Sequence, residues 1–141
     1  MTKLTTWLKV LFSEVAFILC YYLGGLDELI YTLFALVTAD YITGVVSAII
    51  HKNLNSAIGF KGIAHKVFIF VLVGLANLIE TNVLKTNNVL RSLVILYYIA
   101  NEGISIIENA GEIGLPVPKK LLDVLEQLKR GVEDDSEQRR T

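Results

Sequence analysis

Four apolar stretches punctuated by short polar joints organise the chain, and the second of them is the cleanest. Leu29 to Ile50 holds 22 residues with one charge, Asp40, and no proline. A helix of that length reaches about 33 Å, enough to cross a bilayer core of about 30 Å. Gly44, Ser47 and Ala48 follow Asp40 at offsets of four, seven and eight, so they share its face as a small and polar stripe. An ionised carboxylate at a span's centre costs about 2.5 to 3.5 kcal/mol on insertion scales, so Asp40 must face protein, a partner subunit or water.

The first stretch, Leu8 to Leu26, carries Lys9, Ser13 and Glu14 near its start. Lysines ahead of an apolar run also suit a secretory signal, but Leu23-Gly24-Gly25 is a poor cleavage site and another span follows at once. Gly24, Gly25, Asp27 and Glu28 make a tight joint, which predicts an antiparallel hairpin of the first two spans. A polar loop, His51 to Gly62, leads to the third stretch. Only Val67 to Ile79 is uncharged there, and the span is extended back to Ile63 by letting Lys66 snorkel to the headgroups. Asn77 is a candidate interhelical hydrogen-bond partner.

The fourth stretch, Val89 to Ile107, changes character halfway. Asn101, Ser105, Glu108 and Glu112 recur at three or four residues, with Glu102 and Asn109 beside them, opposite Ile99, Ile106 and Ile113. That pattern predicts a helix that enters the membrane at one end and emerges amphipathic, ended by Gly111, Gly114, Pro116 and Pro118. Beyond it, Lys119 to Arg130 reads as a short cytoplasmic amphipathic helix stopped by Gly131, and residues 132–141 as a flexible charged tail.

Basic residues test the span count. With four spans, the amino terminus, central loop and tail hold eleven lysines and arginines on one side, against Lys85 and Arg91 on the other. Three spans would erase that bias, so the positive-inside rule favours four, with both termini cytoplasmic. The reading is an all-α integral membrane protein of two antiparallel hairpins, with residues 1–114 as the transmembrane domain, 115–131 as the amphipathic helix and 132–141 as the tail.

Composition agrees. The chain of 141 residues is 53% hydrophobic and 19% charged, too little polar surface for a soluble domain of this size. The net charge of -1 says nothing about nucleic acid, but no basic patch is interleaved with aromatics, and no nucleic-acid partner is expected. Cys20 is the one cysteine, and His51 and His65 have no carboxylate or thiol at metal-ligand spacing, so neither a metal nor a cofactor is expected. No phosphate loop or nucleophile motif is present, and the chain reads as non-enzymatic.

Two stretches carry a family resemblance. Asp40 to Phe70, DYITGVVSAIIHKNLNSAIGFKGIAHKVFIF, and Asn101 to Lys129, NEGISIIENAGEIGLPVPKKLLDVLEQLK, resemble the toxin-secretion and phage-lysis holins, small membrane proteins of phages and clostridial toxin loci. The E-x-x-S-I-x-x-N segment followed by G-L-P-V-P-K-K-L is the specific part. The resemblance implies accumulation in the bacterial cytoplasmic membrane, self-association in the lipid bilayer, and a lesion that lets a cell-wall hydrolase or toxin leave.

Candidate pore or oligomer contacts are Asp40, Gly44, Ser47 and Ala48 on one helix, Asn77 on another, and Asn101, Glu102, Ser105 and Glu108 on a third. Each has a plainer reading: Asp40 bonded to Asn77 or Lys66 within one subunit, Gly44 and Ala48 as ordinary close-packing positions, Glu108 on a solvated face. A small ion channel or transporter subunit, or an antiholin-like regulator, are the competing functions.

Overall fold

The computed structural model describes residues 2–138, and among them there is no strand. Five helices follow one another: α1 Thr2–Tyr22, α2 Glu28–Ile50, α3 Ser56–Ile79, α4 Val89–Glu112 and α5 Lys119–Gln138. A π-helical turn, Glu80–Leu84, prolongs α3. By length and composition α1, α2, α3 with its π turn, and α4 can each cross a membrane.

Local chemistry fixes the ends. α1 stops where Gly24 and Gly25 take positive φ, with the Gly25 N–H donating to the Cys20 carbonyl at 2.9 Å. This is four residues before the end expected at Leu26. Asp27 then caps α2, its carboxylate accepting from the Ile30 N–H at 3.0 Å. Asn55 does the same for α3, accepting from the Ala57 N–H at 2.8 Å. The third helix therefore begins at Ser56, seven residues before the expected Ile63. Gly59 and Gly62, expected in a loop, lie inside that helix and face Tyr41. The Asn88 side chain caps nothing, and α4 is capped instead by Glu80, whose carboxylate accepts from the Leu90 and Arg91 N–H groups at 3.1 and 3.0 Å.

α2 and α4 run parallel and pack face to face, pairing Asp27 with Arg91 at one end and Ser47 with Glu112 at the other, and α3 runs antiparallel against both. Their shared core is Ile30, Leu33 and Val37 of α2, Ile69 and Val73 of α3, and Ile95 and Ile99 of α4. Around it the outer faces are apolar and exposed, as in Phe34, Ile42, Phe68 and Leu75. A bilayer solvates such a surface; water does not.

α1 stands apart. Residues 3–19 are all exposed, and the helix is held by its last turn alone. There the Tyr22 ring lies over Gly74, where any Cβ would overlap it, and the Tyr22 hydroxyl donates to the Val71 carbonyl at 2.8 Å. Asn77 donates to the Tyr22 carbonyl at 3.1 Å. The first helix thus meets α3, and among the described residues it makes no close backbone contact with α2, its expected hairpin partner.

α5 also departs from the sequence reading. It runs through Gly131 to Gln138, so residues 132–138 are helical, while 139–141 lie outside the described residues. One glycine inside a helix costs only about 1 kcal/mol. Docking outweighs that: α5 folds back antiparallel along α4, with Leu125 against Gly103, the Lys129 ammonium 5.8 Å from the Tyr97 ring centre, and Val132 buried.

Candidate functional site

Lys66 is the centre of the site. It projects from the middle of α3 and pairs at once with Asp40 of α2 and Glu102 of α4. Both carboxylates are buried, at 8% and 4% exposure for the residues. The three helices are therefore joined at mid-depth by one ammonium shared between two carboxylates. Asn109 adds to the cluster, donating to Asp40 Oδ1 at 3.1 Å and to Thr43 Oγ1 at 3.0 Å. Farther along α2, Ser47 donates to Glu112 Oε2 at 2.6 Å, and His51 Nδ1 lies 2.9 Å from the Ser47 carbonyl oxygen.

These contacts form a polar column along the facing sides of α2 and α4, from mid-depth to one end of the bundle. Among the described residues no buried side-chain nitrogen or oxygen lacks a hydrogen-bond partner. That completeness is what lets such a column exist inside an apolar bundle, because a buried unpaired charge costs several kcal/mol. The cluster holds two carboxylates to one ammonium, leaving one formal negative charge at its middle.

Much of the α2 stripe converges here. Asp40, Gly44 and Ala48 line an open groove of about 400 Å3 together with Lys66, Ser105 and Asn109. Ser47 is buried beside it and Glu102 lies beneath Lys66. Asn101 is half-buried and Glu108 exposed. Asn77 is elsewhere, at the far end of α3 on the carbonyls of α1, so of the two partners considered for Asp40 it is Lys66 that binds. Lys66 does not snorkel: with α3 starting at Ser56 it falls mid-helix, where two carboxylates hold it inward. Asn109 and Glu112 belong to the polar stripe that the spacing marks on α4 but are not among the candidate contacts, and nothing in the spacing singles out Thr43.

A second polar knot closes the opposite end. Arg91, 1% exposed, donates to the Leu23 carbonyl at 2.6 Å, the Gly25 carbonyl at 3.1 Å and Asp27 Oδ2 at 2.6 Å. The guanidinium hydrogen bond holds the Asp27 carboxyl below its ordinary range. Arg91, counted from sequence among the cations on the side opposite the termini, instead fastens the α1–α2 turn to the head of α4. Gly24 is obligatory there, since a Cβ would sit 2.3 Å from Asn77 Oδ1 and 2.8 Å from Arg91 Nε.

The site offers ion pairs and hydrogen bonds that can exchange for water, and no group of three or more metal-ligating side chains occurs among the described residues. Comparison with known proteins places this arrangement. An uncharacterised protein of Halalkalibacterium halodurans is 42% identical over 134 residues, covering 92% of this chain and 96% of that one. An uncharacterised 14.9 kDa protein of Clostridium perfringens, encoded 3′ of nagH, is 38% identical over 105 residues, or 74% and 80% of the two chains. A protein described as a probable holin of Bacillus phage phi105 is 36% identical over 118 residues, 84% of each. No solved structure matches significantly. The model of the bacteriophage holin family matches residues 17–130, which span the charged column, the Arg91 knot and most of α5; the chain belongs to that family.

Proposed function

We propose that this chain is a non-enzymatic holin that self-associates in the bacterial cytoplasmic membrane and opens a lesion through which a cell-wall hydrolase or a toxin leaves. The observation that carries the reading is the charged outer face of α5. Docked on α4, α5 reaches the level of Leu90 and Val94, and Asp123, Arg130, Asp134 and Glu137 along it are exposed. Hydrocarbon is a poor solvent for that face at any depth along α4. A wall of such helices around water is a consistent setting for it. The polar column of α2 and α4 supplies a second hydrophilic surface once helices separate.

The amino terminus belongs in the cytoplasm on this reading. With Lys66 and Arg91 withdrawn into the protein and α5 folded back along α4, Lys3, Lys52, Lys61, Lys119 and Lys120 lie toward one end of the bundle and Lys85 toward the other, a bias that makes the first end the cytoplasmic one. The deciding experiment induces the protein in a bacterial host carrying a cell-wall hydrolase and a cytosolic reporter enzyme, with membrane potential and growth followed together. Abrupt loss of potential with release of both proteins is expected. Depolarisation that retains both proteins would mean a small-ion pore, and no change in either would mean a regulator awaiting its partner; each outcome overturns the proposal.

A further inference from the structure

We infer that α1 is a self-recognition helix, pairing in parallel with α1 of a second copy through reciprocal contacts between Lys9 and Glu14. Three observations lead there. Residues 3–19 are all exposed and α1 packs on α3 near its carboxyl end, so the face of this span that carries Lys9 and Glu14 lies open. Glu14 sits about 18 Å from the start of α1 and about 12 Å from its end, so a span formed by this helix carries it near mid-depth. Among the described residues neither its carboxylate nor the Lys9 ammonium has an ion-pair or hydrogen-bond partner. A mid-membrane carboxylate on a lipid-facing surface requires a counter-charge, and this chain does not place one there.

The spacing says where the counter-charge comes from. Lys9 and Glu14 are five residues apart, about 140° around the helix, and they flank a strip formed by Val10, Ser13 and Phe17. In heptad terms Val10 and Phe17 are at a, Ser13 at d, Lys9 at g and Glu14 at e. A parallel pair brings the g residue of one helix to the e residue five positions later on its partner, while an antiparallel pair sets like against like. Copies inserted in one membrane share one orientation, so parallel is the available geometry. Two-fold symmetry then makes two Lys9–Glu14 pairs, one on each side of the strip, and leaves neither charge to the lipid. Ser13 at the crossing lets the backbones approach closely. The family match begins at residue 17, so most of this surface lies outside what the family model describes.

This inference needs α1 to span the membrane but does not depend on what the lesion passes. The test is disulfide scanning of the full-length protein in bacterial membranes, in a Cys20→Ser background. Single cysteines replace Val10 and Ser13 on the proposed strip, and Leu8 and Val15 on the opposite side. Copper-phenanthroline should drive Val10→Cys and Ser13→Cys to dimers at least tenfold faster than the other two, at equal membrane abundance. Glu14→Lys in the Ser13→Cys chain should abolish that advantage, and Lys9→Glu added to Glu14→Lys should restore it. Equal rates on both sides, or a charge swap that fails to restore cross-linking, would overturn the pairing. Reporter release scored in the same cultures separates the two ideas: cross-linking in phase without release overturns the holin reading alone, and release without phase overturns the pairing alone.

Discussion

Replacing Lys66 with methionine keeps an unbranched side chain, one atom shorter, and deletes the cation that Asp40 and Glu102 share. Both carboxylates bond the same nitrogen, which puts them about 5 Å apart, and two unit charges at that separation repel by about 3 kcal/mol at an effective dielectric of about 20. Breaking a buried ion pair by removing one partner typically costs about 3 to 5 kcal/mol, a large part of the stability of a small domain. Lys66→Met should therefore lower stability by about that amount, read as loss of monodisperse protein on heating or on titration with a denaturing detergent. The triple variant Lys66→Met, Asp40→Asn, Glu102→Gln removes every charge and should recover all but about 1 to 2 kcal/mol. A single variant as stable as the parent would refute the shared ammonium as a fastener of α2, α3 and α4. A triple variant no better than the single would show that charge is not the reason for the loss.

Gly74→Ala forces the Tyr22 ring off α3 and breaks its bond to the Val71 carbonyl, so α1 should come loose while the core persists. Cys20, half-buried in the parent, should then react several-fold faster with a membrane-permeant maleimide at an unchanged melting temperature of the remainder. Gly103→Val drives a side chain into Leu125 and should release α5, seen as faster proteolysis between Pro118 and Gln138 in detergent. Asp27 has a folded pKa below its unfolded value of about 3.9, so its contribution is complete above about pH 4 and is lost as pH falls through the folded value. The stability gap between the parent and Asp27→Asn, measured in detergent, should accordingly narrow from pH 5 to pH 2. A gap independent of pH would mean that the Arg91 contact does not distinguish the charged carboxyl.

Span number and helix type were legible because length and apolar continuity need no tertiary information. Asp40 and Glu102 stand out for the same reason: each is a carboxylate amid apolar neighbours. What joins them was harder to see. Gly59 and Gly62 read as turn residues, which moves the start of α3 to Ile63 and puts Lys66 near a helix end; the Asn55 cap shows that the helix begins ahead of both glycines. Arg91 and Gly131 were misread in a similar way. A cation two residues into a span counts toward the charge of its side of the membrane until three acceptors from the α1–α2 turn surround it, and a glycine looks like a stop until Val132 finds a buried site beyond it. The fold-back of α5 leaves no local trace, because the apolar face that docks on α4 would serve a lipid surface equally well.

The attachment of α1 by one turn gives the molecule a lever. No residue of α1 belongs to the buried core, so the arm can swing about Tyr22 as a fulcrum without disturbing the packing of α2, α3 and α4. With an arm of about 30 Å, a tilt of about 20° carries its free end about 10 Å sideways. Neighbouring bundles gripped at those ends could change their spacing by that distance and still keep hold of one another.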